Sequence, residues 1–386
     1  MIKYILVASF IITSILFSKP SDKIKFNANE MTELEYEFFM KIDNSETNDI
    51  EIYYDGFLIA SGIVDYNEFN IYKEKLNNIR EKAKDDLNEY KSQGAYEFGK
   101  ILLNWLYDNG VLKKYFETST LFQDLIYKGE YNCLNSSILY ALLYTEFGFN
   151  ATGILTSNHA FCVVNTEKGN IDVETTVKGG FNPGTKEIRN TGNSTIVTFV
   201  PKQNYNKRRE VDILTLIATL YPNSITLKNV EKNLLKQLTM AKKAYYLSPN
   251  TELYTDNLIN AYNKVALDYI KKKQYKDAYK YLKRAYVFDP TSKLTKNNQI
   301  YYFNTIGTEY LQNKDFSSAI QIYKIGLKEI EDADILKKNL KVSYYNYAVT
   351  EYNSGRYNNA LAISEEALII FPNDKDFIRF KSSIPK

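Results

Sequence analysis

The chain has one histidine and two cysteines in 386 residues. His159, Cys133 and Cys162 cannot furnish the four ligands of a structural zinc site, so a metal site is a poor reading and neither a metal nor a cofactor is expected. Excess charge of either sign is also missing. The 49 basic and 46 acidic side chains are interspersed and net to +3, which leaves no basic footprint for nucleic acid. Beyond the first twenty residues no apolar run is long enough to span a bilayer. No cysteine stands near that first run to accept a lipid.

What is present describes a globular protein of two or three domains, 44% hydrophobic and 25% charged. Lys3 precedes an uncharged apolar stretch, Tyr4–Phe17, closed by Ser18, Lys19 and Pro20. Residues 1–18 therefore read as a secretory signal or, alternatively, an uncleaved N-terminal membrane anchor, and the protein is expected to be exported. Two cysteines in an oxidising compartment invite a disulfide. However, Cys162 lies three residues from His159 on an expected strand and faces the opposite side, as a small core hydrophobe.

The periodicity changes along the chain. Residues Ile50–Gly62 read as either a strand pair or a helix, Asn67–Tyr90 as a charged helix, and Glu97–Tyr107 as an amphipathic one. Thr120–Tyr127 gives a further short helix. Asn132 then caps the helix of YNCLNSSILYALLYTEFG, with Cys133 in its first turn. From Ala151 to Thr176 the period becomes that of strands: ATGIL, HAFCVV and IDVETT form an antiparallel meander, and TIVTFV, Thr195–Val200, is a last strand. The basic stretch Lys202–Arg209 reads as a linker.

Everything after residue 210 is helical and repeats. Steps of 41 residues connect Ala266, Gly307 and Ala348; Ala278, Ala319 and Ala360; and Ala244, Ala285, Gly326 and Ala367. An aromatic stands three before each central alanine, at Tyr275, Phe316 and Tyr357. This pattern resembles tetratricopeptide repeats lengthened by about two helical turns. It implies about three helix pairs after a degenerate first, and a protein or peptide ligand held by the repeats. Their first helices are rich in tyrosine, and any exposed tyrosines would suit a peptide-binding surface.

The constellation that carries chemistry lies between these regions. A thiol nucleophile needs a base, and the base needs a group that orients it. Cys133 sits at a helix start, where free N–H groups and the positive end of the dipole favour an anion. His159 heads the next strand but one. If Asp172 pairs near Phe161, it lies diagonally beside His159, accepts Nδ1–H and turns Nε2 towards the thiol. The pieces YNCLNSSILYALLYTEFGF, NHAFCVV and IDVETT resemble the core of the transglutaminase-like superfamily, across roughly Gly94–Val200. That resemblance implies a papain-like α+β domain with Cys133 as nucleophile, His159 as base and Asp172 as orienting acid. Asn132 and Gln123 are the candidate side chains for an oxyanion hole. The expected organisation is a signal or anchor at 1–18, a transglutaminase-like domain at 19–201 and helical repeats at 210–386. The expected function is cysteine-dependent hydrolysis or transamidation of amide bonds in a protein or peptide. The alternative is a non-catalytic adaptor working through its repeats.

Overall fold

The structure, a computed structural model, describes residues 24–44, 49–119, 121–183, 207–227 and 233–385. The N-terminal segment 1–18, the expected strand Thr195–Val200 and most of the basic stretch 202–209 lie outside the described residues. The fold class is α+β, and the chain divides into two compact units, Met1–Thr255 and Asp256–Lys386.

The first unit begins with helices α1 (Glu33–Asp43), α2 (Ile50–Ala60), α3 (Tyr66–Leu87) and α4 (Ala95–Asp108). The stretch left open between strands and helix is thus helical. α2 is buried on nearly every side, from Ile52 through Tyr54–Ala60, which removes the one-sided periodicity that would have marked it as a helix. A two-stranded parallel pair, β1 (Lys114–Tyr115) and β2 (Glu130–Tyr131), flanks α5 (Phe122–Lys128) and leads into α6 (Cys133–Glu146).

α6 is the central helix of the unit, buried without interruption from Leu134 to Tyr144. Such a helix needs both ends satisfied within the protein. At its start Asn132 Oδ1 accepts the Leu134 and Asn135 N–H groups at 3.0 and 3.1 Å, and Asn135 Oδ1 accepts the Asn132 N–H at 2.9 Å. At its end Glu146 receives Arg80 Nε at 3.0 Å and Nη2 at 2.7 Å, and the Tyr54 hydroxyl at 2.7 Å. The Arg80 guanidinium lies 4.1 Å over the Tyr54 ring. Burial would raise the Glu146 carboxyl, but Arg80, Tyr54 and Lys84 hold it below its ordinary range.

A four-stranded antiparallel sheet, in the order β5-β4-β3-β6, packs against α6 through β3 and β4. Its strands are β3 (Ala151–Leu155), β4 (Ala160–Thr166), β5 (Gly169–Val173) and β6 (Arg209–Val211), so the expected meander is present and the end of the basic stretch is an edge strand. Helices α7 (Ile213–Ala218), α8 (Leu220–Leu227) and α9 (Leu234–Leu247) follow. The expected boundary near residue 201 is therefore displaced to Thr255. Lys242 and Lys243 of α9, both nearly buried, pair with Glu30 at 2.7 Å and Glu35 at 2.5 Å and tie residues 210–255 into the first unit.

The unit boundary falls within α10 (Glu252–Lys271), which precedes α11 (Tyr275–Phe288), α12 (Lys293–Gln312), α13 (Phe316–Glu329), α14 (Asp334–Asn353), α15 (Tyr357–Ile370) and α16 (Lys375–Ser383). The 41-residue step of the sequence is also the step of the helices. The 20-residue helices begin at 252, 293 and 334, and the 14-residue helices at 275, 316 and 357. α9 also has 14 residues and begins one step earlier, at 234. All ten small residues of the three series are buried. Asparagine pairs recur at the same spacing. Asn298 Nδ2 donates to Asn263 Oδ1 at 2.8 Å, and Asn339 Nδ2 to Asn304 Oδ1 at 2.6 Å. One step on, Tyr345 and Phe380 pack ring to ring at 5.8 Å.

Room at one seam is shared between paired positions. A Cβ on Gly307 would lie 2.4 Å from Cζ of the fully buried Tyr323, whereas one step earlier the same two positions are Ala266 and Leu282. Gly307→Ala should therefore destabilise the protein by about 1–3 kcal/mol, overpacking outweighing the roughly 1 kcal/mol that alanine gains in helix propensity. In a Tyr323→Leu background the same change should be neutral or stabilising. Urea unfolding of the four proteins measures the coupling, and an equal cost in both backgrounds would refute the shared-volume account.

Candidate active site

Three side chains come together where α6, β4 and β5 meet. The cap at Asn132 makes Cys133 the first residue of α6, with its thiol partly exposed. Its backbone N–H has no acceptor among the described residues, because the cap serves the next two N–H groups. His159 stands just before β4. Thr156 fixes its backbone by donating N–H to the His159 carbonyl at 2.9 Å and accepting the His159 N–H on Oγ1 at 3.1 Å. The imidazole lies beside the Phe161 ring, with centroids 6.1 Å apart. The Cys133 side chain lies close enough to act on the ring electrostatically, and Nε2 lies 2.6 Å from Glu174 Oε2.

The carboxylate that meets His159 is thus Glu174 and not the expected Asp172. β5 pairs Asp172 with Val163 and Val173 with Cys162, two residues out of step with the pairing near Phe161 that Asp172 needed. Asp172 instead receives Arg208 at 2.8 and 3.1 Å, and that guanidinium lies 5.4 Å over the Phe161 ring. The two-residue offset preserves strand parity, so the next acid of the same parity takes the place. The glutamate of the Glu174-Thr175-Thr176 run was the available signal.

Glu174 is held on every side. It is 2% exposed, and its Oε1 accepts the Thr176 N–H at 3.1 Å and hydroxyl at 2.5 Å. Its own N–H donates to the Gly180 carbonyl at 2.8 Å. The chain closes so tightly that a Cβ on Gly180 would lie 1.9 Å from the Glu174 carbonyl oxygen, so only glycine fits there. Thr175 Oγ1 bonds Ser136 and Ser137 of α6 at 2.8 and 3.0 Å, which docks this turn onto the helix that begins with Cys133.

The ring nitrogens are used in the reverse of the expected sense. Glu174 engages Nε2, so Nδ1 is the nitrogen left for the thiol. Burial alone would lower the imidazole pKa, but the hydrogen bonds to Cys133 and Glu174 and their negative charge outweigh it and raise it to about 10. At that value the ring carries a proton on both nitrogens at neutral pH.

Of the two candidate side chains for an oxyanion hole, Asn132 is consumed by the cap and donates Nδ2 to the Glu117 carbonyl at 3.2 Å. Gln123 has a buried side-chain oxygen with no partner. Cys162 is fully buried, donates its S–H to the Ser137 carbonyl at 3.1 Å, and burial pushes its pKa up to about 12. Among the described residues no three His, Cys, Asp or Glu side chains gather to hold a metal, and no helix is long and apolar enough to cross a membrane. Comparison with family models, curated proteins and solved structures finds no match to this chain.

The lone imidazole gives a direct readout. Its proton resonances should titrate with a midpoint near 10. Glu174→Gln should lower that midpoint by roughly one to three pH units, the usual effect of a neighbouring charge. Asp172→Asn should leave it in place. The stabilisation linked to this protonation is complete below the ordinary imidazole pKa of about 6.5 and is lost as pH rises through about 10, because the folded value is the higher one. A wild-type midpoint between 6 and 7 would show that the pair does not form.

Proposed function

We propose that this chain is an exported cysteine-dependent acyl-transfer enzyme that hydrolyses or transamidates amide bonds in a protein or peptide. The observation that carries the reading is the line Cys133–His159–Glu174 at the start of a buried helix, with Nε2 bound to the carboxylate and Nδ1 left for sulfur. The motif resemblance to the transglutaminase-like superfamily supports the same chemistry, with Glu174 in the place of the aspartate.

In this reading each of the three residues has its own role. The Cys133 thiolate adds to the amide carbonyl carbon; a C–S bond forms and the π pair moves to oxygen. His159 gives its Nδ1 proton to the amide nitrogen, the C–N bond breaks and an amine leaves, with a thioester on Cys133. Water or a second amine then attacks the thioester, Nδ1 takes its proton, and the thiolate departs. Glu174, nearly dry and doubly anchored, holds the ring in one orientation and balances its charge.

A second reading, an adaptor binding a protein or peptide through its helical repeats, has its own observation. Apolar residues stay exposed at matching positions of successive 20-residue helices, Leu294 with Ile335 and Tyr301 with Val342. Of the ten tyrosines of these helices only Tyr301 and Tyr345 are exposed, while Tyr254, Tyr262, Tyr302 and Tyr344 are core residues, so the exposed set is narrower than tyrosine content implies.

Alkylation separates the two readings. At neutral pH iodoacetamide should label Cys133 and spare Cys162, and His159→Ala should slow the labelling roughly thirtyfold, because the thiol loses the neighbouring cation that favours its ionised form. Equal labelling of both thiols, or a rate indifferent to His159, would leave only the adaptor.

A further inference from the structure

We infer that Tyr115 is a catalytic residue of this acyl transfer: its phenolic O–H is the second donor to the oxyanion, beside the backbone N–H of Cys133. The inference rests on the thiol-enzyme reading above. When sulfur adds to a carbonyl, the oxygen gains a full charge, and a site aims fixed donors at it. The Cys133 N–H is one such donor, free at the helix start. The amides beside it are spent. Asn132 Nδ2 donates to Glu117, and Asn135 Nδ2 donates to the Ser119 carbonyl at 2.7 Å.

Three phenols cluster at this edge, and two are closed off. Tyr107 and Tyr131 share a hydrogen bond at 2.9 Å, and their hydroxyls also reach the Thr175 and Thr176 carbonyls at 2.8 and 3.2 Å. Tyr115 differs. The parallel pair β1–β2 sets it opposite Tyr131, two residues before the nucleophile. Its ring meets the Tyr131 ring edge-on at 5.9 Å, it is 43% exposed, and its hydroxyl has no partner among the described residues. Burial first, and then the charge at Cys133, push its pKa up to about 12. The phenol therefore keeps its proton over the working range. In the addition step it donates a hydrogen bond and transfers nothing.

The test compares two reactions of Cys133. p-Nitrophenyl acetate acylates the thiol through a tetrahedral oxyanion, forming a thioester and releasing p-nitrophenolate. Iodoacetamide displaces iodide at a saturated carbon and develops no oxyanion. Tyr115→Phe, which keeps the ring and its packing, should slow acylation about a hundredfold, as removal of one oxyanion donor does, and leave alkylation unchanged. The same ratio of acylation to alkylation as in the wild type overturns the role of Tyr115 alone. If Cys133 of the wild type alkylates selectively but is never acylated, the oxyanion site falls with it. If Cys133 does not alkylate selectively, the thiol-enzyme reading itself falls.

Discussion

The position of the candidate nucleophile depends on one asparagine. Asn132 closes the first turn of α6, and a helix buried from Leu134 to Tyr144 cannot begin one residue earlier or later without stranding an amide in the core. A lost N-cap costs about 1 kcal/mol even on exposed helices. Arg80 and Tyr54 hold the other end of the helix through Glu146, and Glu51 holds Arg80 in turn. With both ends fixed, the serines of the second turn become docking points for Thr175, and the acid arrives already positioned against the ring.

Much of this arrangement could be read before any fold was known. Cys133 and His159, the capped helix, the meander and the 41-residue step all follow from residue spacing, because each is a local or periodic property. The acid could not be read with the same certainty. Asp172 and Glu174 share a strand face, and only the long-range pairing of β4 with β5 decides which of them reaches His159. Spacing is equally silent on which ring nitrogen is engaged, since that depends on where Glu174 lies across the sheet.

The same limit explains the two larger departures. α2 is apolar all round because it lies in the middle of the unit, so its sequence shows no single face from which to infer a helix. The domain boundary was read from composition, at the polar stretch 202–209. Contacts far apart in the chain, Lys242 with Glu30 and Lys243 with Glu35, carry the first unit past it. Buried ion pairs of this kind are poor glue in themselves, but breaking one strands a charge, so they define what belongs together more than they strengthen it.

The asparagine pairs of the second unit separate adhesion from alignment. A seam of alanine, leucine and aromatic side chains adheres almost as well if one helix slips a turn against its neighbour. An amide buried like Asn263, which serves Thr295, Ile259 and Asn298 at once, cannot slip without leaving its bonds unmade. Each pair acts as a detent that accepts a single setting. In the last position the apolar contact of Tyr345 with Phe380 replaces the amide pair, and the setting passes to the ion pairs Lys341–Asp374 and Lys381–Glu365.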